Sequence, residues 1–372
     1  MALRKFIAEG ALHLHSSNPL VFSPGELRHA IQSEGVRDHV RGCNLYLITS
    51  RTRIFVKDAR LDIGGLRGDL VVWRDSNWAS VPFEFPIEVG DRSNAEMEVW
   101  TAPHGTHVVL QPIGQPGGGI PIHAHTLVAH SKVALTDEEC DLQLLYVGQG
   151  IGRKKTRTAL ERLRSHETLQ AILADHHTFH PEREILILLY RFENHSNLIS
   201  TGGDLSLEPQ AAVAEERAHL GRICGASLSR EERISLAEAA LINHFKPYYN
   251  VTYKTTDFSK AKRVKTLRSV LREDLTGLIV EINTHSVRGR LGTEHRPHGD
   301  SSVIQFLREC LDARRDEGIE EEILSGMLGE LSVMSHSHYA MFPLTEQEDR
   351  ESFLHGVGWR DVDVPASPPH SQ

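Results

Sequence analysis

The sequence predicts an α/β protein of two or three domains: a small mixed sheet with packed helices, flanked by an N-terminal β-rich domain and a C-terminal α/β extension. Three observations carry this. The chain has 372 residues, beyond the size at which a single hydrophobic core keeps growing. Between about 44 and 112 lie the short stretches NLYLIT, RIFV, DLVVW, EMEVW and HVVLQP, broken by Gly, Asp, Asn and Pro, the pattern of strands joined by turns. From about 126 the pattern becomes strand, strand, helix, helix, strand, an order that packs helices on a sheet.

The first element is a helix start at Ser23-Pro24-Gly25-Glu26, where Ser23 caps, Pro24 suits the first turn and Glu26 holds the capping-box position. The β-rich stretches follow, and the glycine-rich QPGGGIP at 115–121 supplies a hinge. Domains are therefore expected at 1–120, 121–252 and 253–372. The central one is expected to contain strands near 126–134 and 142–148, folded as a hairpin around TDEEC. Helices near 154–164 and 166–176 and a strand at 184–192 complete it, and 194–229 reads as an insertion. The helix over 231–245 places Ile234, Ala237, Leu241, Ile242 and Phe245 on one apolar stripe. Beyond Asn250 come an apolar strand TGLIVEIN at 276–283, helices within 302–330 and a Pro/Ser-rich tail, VPASPPHSQ, whose composition predicts disorder. There is no internal repeat.

The hydrophobic fraction, 40%, is that of a soluble protein. No apolar run is long enough to span a bilayer, and the opening MALRKFIAEGALHLHSS lacks a signal-peptide core and cleavage site, so a cytoplasmic protein without membrane contact is expected. Cys43, Cys140, Cys224 and Cys310 are scattered without a close pair, which excludes a zinc knuckle or disulfide framework and predicts reduced core residues. A net charge of -9 argues against a general nucleic-acid coat, because phosphate binding is driven by Lys and Arg. Local charge tells more. Arg153, Lys154, Lys155, Arg157, Arg162 and Arg164 form one basic run, and Lys254, Lys260, Lys262, Arg263, Lys265 and Arg268 form another, both suited to a polyanion.

These runs flank two segments that carry the chemistry. LLYVGQG at 144–150 ends a predicted strand in Tyr146-Val147-Gly148, and EAALINHFKPYYN at 238–250 sets Glu238 shortly before Lys246, Pro247, Tyr249 and Asn250. In order, chemistry and spacing the pair resembles the active site of GIY-YIG nucleases, over about 125–252. Glu238 lies four residues after Ile234 and three before Leu241, on the edge of the apolar stripe. A desolvated carboxylate there needs a partner or a cation, and a hard oxygen ligand suits Mg²⁺ or Mn²⁺. The resemblance implies that Glu238 holds the divalent ion, that Tyr146 acts at the phosphate through its hydroxyl, and that an arginine of the next helix stabilises the transition state. Spacing ranks Arg157 first and Arg162 second. Arg162 with His166 reproduces an Arg-x-x-x-His pairing of some relatives, which makes His166 a candidate acid–base group or phosphate ligand. Gly148, Lys154, Lys155, Asn250, Lys254, Lys262, Arg263 and Lys265 are candidate nucleic-acid contacts.

The sequence departs from the family where a first tyrosine is expected, on the strand paired with that of Tyr146. The preceding HTLVAHSKVALTDEECDLQ has no tyrosine, and the predicted hairpin puts His130 or Ser131 opposite Tyr146. His130 is therefore a candidate general base. His123-Ala124-His125 places two imidazoles on one face of a strand but lacks the glutamate of a cupin motif, and the HSH at 336–338 lacks a third ligand. GQGIG lacks the third glycine of a dinucleotide fingerprint. The expectation is a divalent-metal-dependent endonuclease acting on DNA, with the layout of a bacterial defence or restriction (antiviral) component. Its flanking domains would select substrate, a protein partner or a second copy. The alternatives are a non-catalytic nucleic-acid-binding or complex-assembly protein, and an RNA-cutting effector.

Overall fold

The computed structural model describes residues 3–62, 64–87, 97–114, 118–150, 158–201, 204–252, 254, 265–298, 309, 310, 313 and 321–355. The protein is of mixed α/β class, with four separate sheets among these residues. In chain order the elements are β1 (Glu9–His15), β2 (Leu20–Phe22), α1 (Glu26–Gln32), α2 (Glu34–His39), β3 (Leu45–Thr52) and β4 (Ile54–Asp62). Then come β5 (Gly65–Arg74), β6 (Asn77–Pro86), β7 (Met97–Thr101), β8 (His107–Pro112), β9 (Ile120–His123), α3 (Ala124–His130), β10 (Lys132–Val133) and α4 (Asp137–Cys140). The chain continues through β11 (Leu142–Gln149), α5 (Ala159–Leu163), α6 (Glu167–Phe179), β12 (Arg183–Tyr190), β13 (His195–Ser200), α7 (Val213–Gly225) and α8 (Arg230–Phe245). It closes with α9 (Lys265–Arg272), β14 (Leu275–Asn283), β15 (Leu291–Gly292), α10 (Glu321–Ser335) and β16 (Ser337–Pro343).

The central sheet has the order β15-β11-β3-β12-β2. It is antiparallel except for the short β11–β15 pair. Strand β3 is buried almost throughout because both faces of the sheet are covered. Leu45 and Leu47 join the core that contains α8, whereas Tyr46 and Ile48 join the core formed with α1, α5 and α6.

From Ile234 onward α8 is covered on more than one face, burying Leu236, Ala239 and Ala240 as well as the predicted stripe. Its second cover is a sheet of order β13-β1-β14-β16, drawn from the start of the chain, the segment read as an insertion and the C-terminal extension. These pairings cross the boundaries expected near 120 and 252. No helix among the described residues is long and apolar enough to cross a membrane.

Between β3 and β11 the chain builds two further sheets, β10-β6-β5-β4 and β7-β8-β9, around a separate core that includes Ile54, Leu70, Val81, Phe83, Val108 and Leu127. Gln143 pairs with Ser50, so this whole unit occupies the place of a turn in one β3–β11 hairpin. That arrangement corrects the expected hairpin around TDEEC. Residues 124–130 are helix, because Ala124, Leu127 and Val128 repeat at helical spacing and pack into the inserted core. Only Lys132–Val133 pairs as a strand, and its partner is β6. Cys43 and Cys140 are buried thiols as predicted, but Cys224 is exposed and Cys310 partly so. The Pro/Ser-rich tail, residues 115–117 of the predicted hinge and most of 302–320 lie outside the described residues.

Candidate active site

The site begins with a β-bulge. Leu144 pairs with Thr49 and Tyr146 with Ile48, leaving Leu145 as the extra residue. The bulge turns Tyr146 to the face of the sheet that carries Tyr46. Tyr46 itself lies opposite Gly148, and the glycine is required by that neighbour. A Cβ at position 148 would come within 2.6 Å of the Tyr46 ring and hydroxyl and 2.7 Å of Tyr146. The two tyrosine rings sit 6.2 Å apart, and the buried Tyr46 hydroxyl lies close enough to Arg162 and Tyr146 to interact with both, although no partner among the described residues meets full hydrogen-bonding geometry. Burial raises the pKa of both phenols, and the positive charge of Arg162 opposes that rise.

Arg162 and His166 come from the helical face above these rings. A capping box of Thr158 and Glu161 starts α5 and sets Arg162 in its last turn. Arg162 Nε is buried without a partner of hydrogen-bonding geometry, although its charge acts on Tyr46, Tyr146 and Glu238. His166 caps α6. Its Nδ1 accepts the Leu169 N–H at 3.1 Å, which assigns the proton of the neutral ring to Nε2. Its ring centroid is 5.1 Å from that of Tyr146 and 5.8 Å from that of Tyr46. Burial, and then Arg162, lower its pKa. A histidine held in this tautomer donates from Nε2 and has no free lone pair, so it suits a phosphate ligand better than a base.

Glu238 enters from α8. Gln149, the last residue of β11, donates from Nε2 to Glu238 Oε2 at 2.7 Å. Burial pushes the carboxyl up to about 7, against the charge of Arg162 and the hydrogen bonding of Gln149. The Gln149 backbone also hydrogen-bonds the carboxylate. No group of three or more His, Cys, Asp or Glu among the described residues could hold a metal ion, which excludes an all-protein cage there. The donor set at Glu238 is one desolvated carboxylate, which fits Mg²⁺ or Mn²⁺ held by a single acidic ligand plus water and substrate oxygens.

The FKPYYN segment ties α8 to β11. Lys246 ends the helix in the left-handed region at φ 49°, and Pro247 follows where a helix cannot continue. The Tyr249 N–H donates to Leu145 O at 3.1 Å, and its hydroxyl donates to Asp175 on α6 at 2.6 Å. Asn250 is buried; it accepts from Val147 N at 2.9 Å and donates to Val147 O at 2.8 Å. Strand β15 pairs with β11 only at Leu142 and Gln143, so Asn250 continues the sheet edge where no strand does.

The structure thus brings together Tyr146, Gly148, Arg162, His166 and Glu238, and adds Tyr46, which sequence reasoning missed. Tyr46 lies on NLYLIT, far upstream, on the strand paired with that of Tyr146. The signal was present in a second Leu-Tyr strand matching the Leu-Tyr of LLYVGQG, but the inserted unit separates the two. His130 ends α3 in that unit, exposed, and the β3–β11 pairing gives the place opposite Tyr146 to Ile48. Arg157, Lys154, Lys155, Lys262 and Arg263 lie outside the described residues, as does the side chain of Lys265, the first residue of α9. Lys254 donates to Tyr248 O at 3.1 Å. Asn250 has both ends of its amide engaged by the fold. Comparison with protein-family models, curated proteins and solved structures returned no match to this chain.

Proposed function

We propose that the protein is a divalent-metal-dependent endonuclease that hydrolyses phosphodiester bonds in DNA, built on a GIY-YIG-like core. One observation carries the reading. Two tyrosines, an arginine, a fixed-tautomer histidine and a desolvated glutamate converge from five elements, and the buried Tyr46 hydroxyl and Arg162 Nε there have no partner of full hydrogen-bonding geometry among the described residues. Buried polar groups are almost always satisfied, and a phosphodiester with an attacking water supplies what these two lack. Tyr46, on the strand paired with that of Tyr146, favours the catalytic reading over the non-catalytic alternative. A defence or restriction role belongs to the same proposal.

Hydrolysis places a water oxygen on phosphorus, breaks one P–O ester bond and moves one proton from the water to the departing oxygen. Arg162 faces the charge that grows on the phosphate oxygens. His166 donates a hydrogen bond from Nε2 to the same group. Tyr46 and Tyr146 orient the water and the ester through their hydroxyls, and Tyr46, under the charge of Arg162, receives the hydrogen bond of the attacking water. Glu238 would hold the divalent ion, which when bound supplies further positive charge at the phosphate.

The test is incubation of plasmid DNA, single-stranded DNA and RNA with purified protein in Mg²⁺ or Mn²⁺, beside Glu238→Ala and Tyr46→Phe. Metal-dependent cutting of DNA, abolished in Glu238→Ala, is the expected result. Cutting of RNA alone would reassign the substrate. No cutting, with nucleic-acid binding unchanged in both variants, would replace the enzyme by a binding module.

A further inference from the structure

Gln149 has no role in the mechanism above, yet its side-chain amide donates to the Glu238 carboxylate at 2.7 Å and its backbone hydrogen-bonds the same group. The residue is well held. It pairs with Leu45 at the end of the β3–β11 ladder, and the following Gly150 N–H donates to Asn44 O at 2.6 Å. Gly150 also admits no side chain, since a Cβ would lie 2.5 Å from Ala159 N. On the other side Glu238 is fixed by a helix that buries Leu236, Ala237 and Ala239 around it. Donor and acceptor are therefore both mounted on rigid elements, the arrangement that sets a ligand's direction.

We infer that Gln149 is a positioning residue for the Glu238 carboxylate, its side-chain amide fixing Oε2 so that the carboxylate is presented to the divalent cation in one orientation. The inference rests on the nuclease reading of the site. The choice of an amide is chemically specific. A lysine or arginine at position 149 would form an ion pair with Glu238 and compete with the cation for its charge. A neutral donor orients the carboxylate and leaves its full charge available. An apolar side chain would remove the side-chain hydrogen bond to this charged group and leave only the backbone one.

The experiment is Mn²⁺ titration of the full chain followed by electron paramagnetic resonance, without substrate, together with plasmid cleavage as a function of Mg²⁺. The variants are Gln149→Met, Gln149→Lys and Glu238→Ala. The expected result for Gln149→Met is roughly tenfold weaker Mn²⁺ binding, from the loss of one charge-assisted hydrogen bond. Its Mg²⁺ half-saturation should rise by a similar factor, with kcat at saturating Mg²⁺ within about threefold and the melting temperature unchanged. Gln149→Lys should bind Mn²⁺ more weakly still, although it restores a donor. A purely structural role would lower the melting temperature and leave metal affinity alone, and that result overturns the inference. Unchanged Mn²⁺ binding in both Gln149 variants, with binding lost in Glu238→Ala, also overturns it while sparing the nuclease reading. Unchanged Mn²⁺ binding in Glu238→Ala removes both.

Discussion

Two regions of this molecule bury carboxylates and treat them in opposite ways. Beside the β13-β1-β14-β16 sheet, Glu9 meets Arg350 at 2.9 Å and accepts from Thr276 at 3.1 Å. Asp274 accepts from Arg222 Nε at 2.7 Å and from Arg350 at 3.3 Å, and Arg350 itself lies over the Phe6 ring. Each acid faces a guanidinium, as buried charges require. In the central sheet Glu238 is hydrogen-bonded by the neutral Gln149 and feels Arg162 through its charge, and Tyr46 Oη and Arg162 Nε have no partner of full hydrogen-bonding geometry among the described residues. Burial raises the pKa of Glu9 and Glu238 alike, but only Glu238 is carried to about 7. One region answers each of these acids with a guanidinium at hydrogen-bonding distance; the other leaves its buried carboxylate to a neutral donor, at a cost in stability.

The largest expected effect tests the open side of this contrast. Glu238→Ala should lower metal-dependent DNA cleavage by roughly 10³-fold, and Tyr46→Phe by about 10²-fold, with neither lowering the melting temperature. Cleavage by Glu238→Ala within threefold of wild type would move Glu238 into the same class as Glu9. The closed side should answer in stability instead. Arg350→Met strands Glu9 and weakens the hold on Asp274, so it should destabilise the protein by about 3 kcal/mol in urea unfolding, with cleavage per folded molecule unchanged. A loss of cleavage without a loss of stability would break the contrast.

A third measurement asks whether Glu238 opposes folding. Its folded-state pKa, about 7, lies above the ordinary 4.5. Its contribution to stability is therefore fully present below about pH 4.5 and is lost as pH rises through 7. In EDTA, wild type and Glu238→Gln should be equally stable near pH 4.5 and diverge above it. By pH 8 the variant should be more stable by up to about 3 kcal/mol, although it cuts no DNA. Equal stability at pH 8 would mean that the carboxylate is solvated or paired after all.

The sequence disclosed some of this and concealed the rest for identifiable reasons. Glu238 at the edge of an apolar stripe, and the Arg162–His166 spacing, are local features, and local spacing on a helix translates directly into a shared face. Tyr46 is a partner in a strand pair, and pairing carries no record of how much chain lies between two strands. Thr52, where the inserted unit leaves β3, is about 20 Å along the strand from Tyr46 at ~3.3 Å per residue, so the insertion separates the motifs in sequence without disturbing them in space. The enclosure of α8 was hidden in the same way, because its second cover is assembled from both ends of the chain. His130 failed for a different reason: Leu127 and Val128 suit a strand by composition, but their spacing from Ala124 follows the helical period, and that period decided the structure.

Asn250 gives the smallest and most discriminating effect, since sequence resemblance and geometry assign it different work. As a nucleic-acid contact it would need a free amide. As found, the amide oxygen and nitrogen both hold Val147, the residue between Tyr146 and Gly148. Asn250→Ala would leave two buried backbone groups unpaired at the sheet edge, costing about 2 kcal/mol, and would loosen α8, with Glu238, from β11. Urea unfolding should register that loss, cleavage should fall by roughly three- to tenfold from the displaced carboxylate, and DNA affinity in EDTA should stay unchanged. Asn250→Asp keeps the acceptor for Val147 N but sets an oxygen against Val147 O, so it should be no more stable than the alanine variant. A variant that keeps its stability and loses DNA binding would return Asn250 to the substrate and make the Val147 pairing incidental.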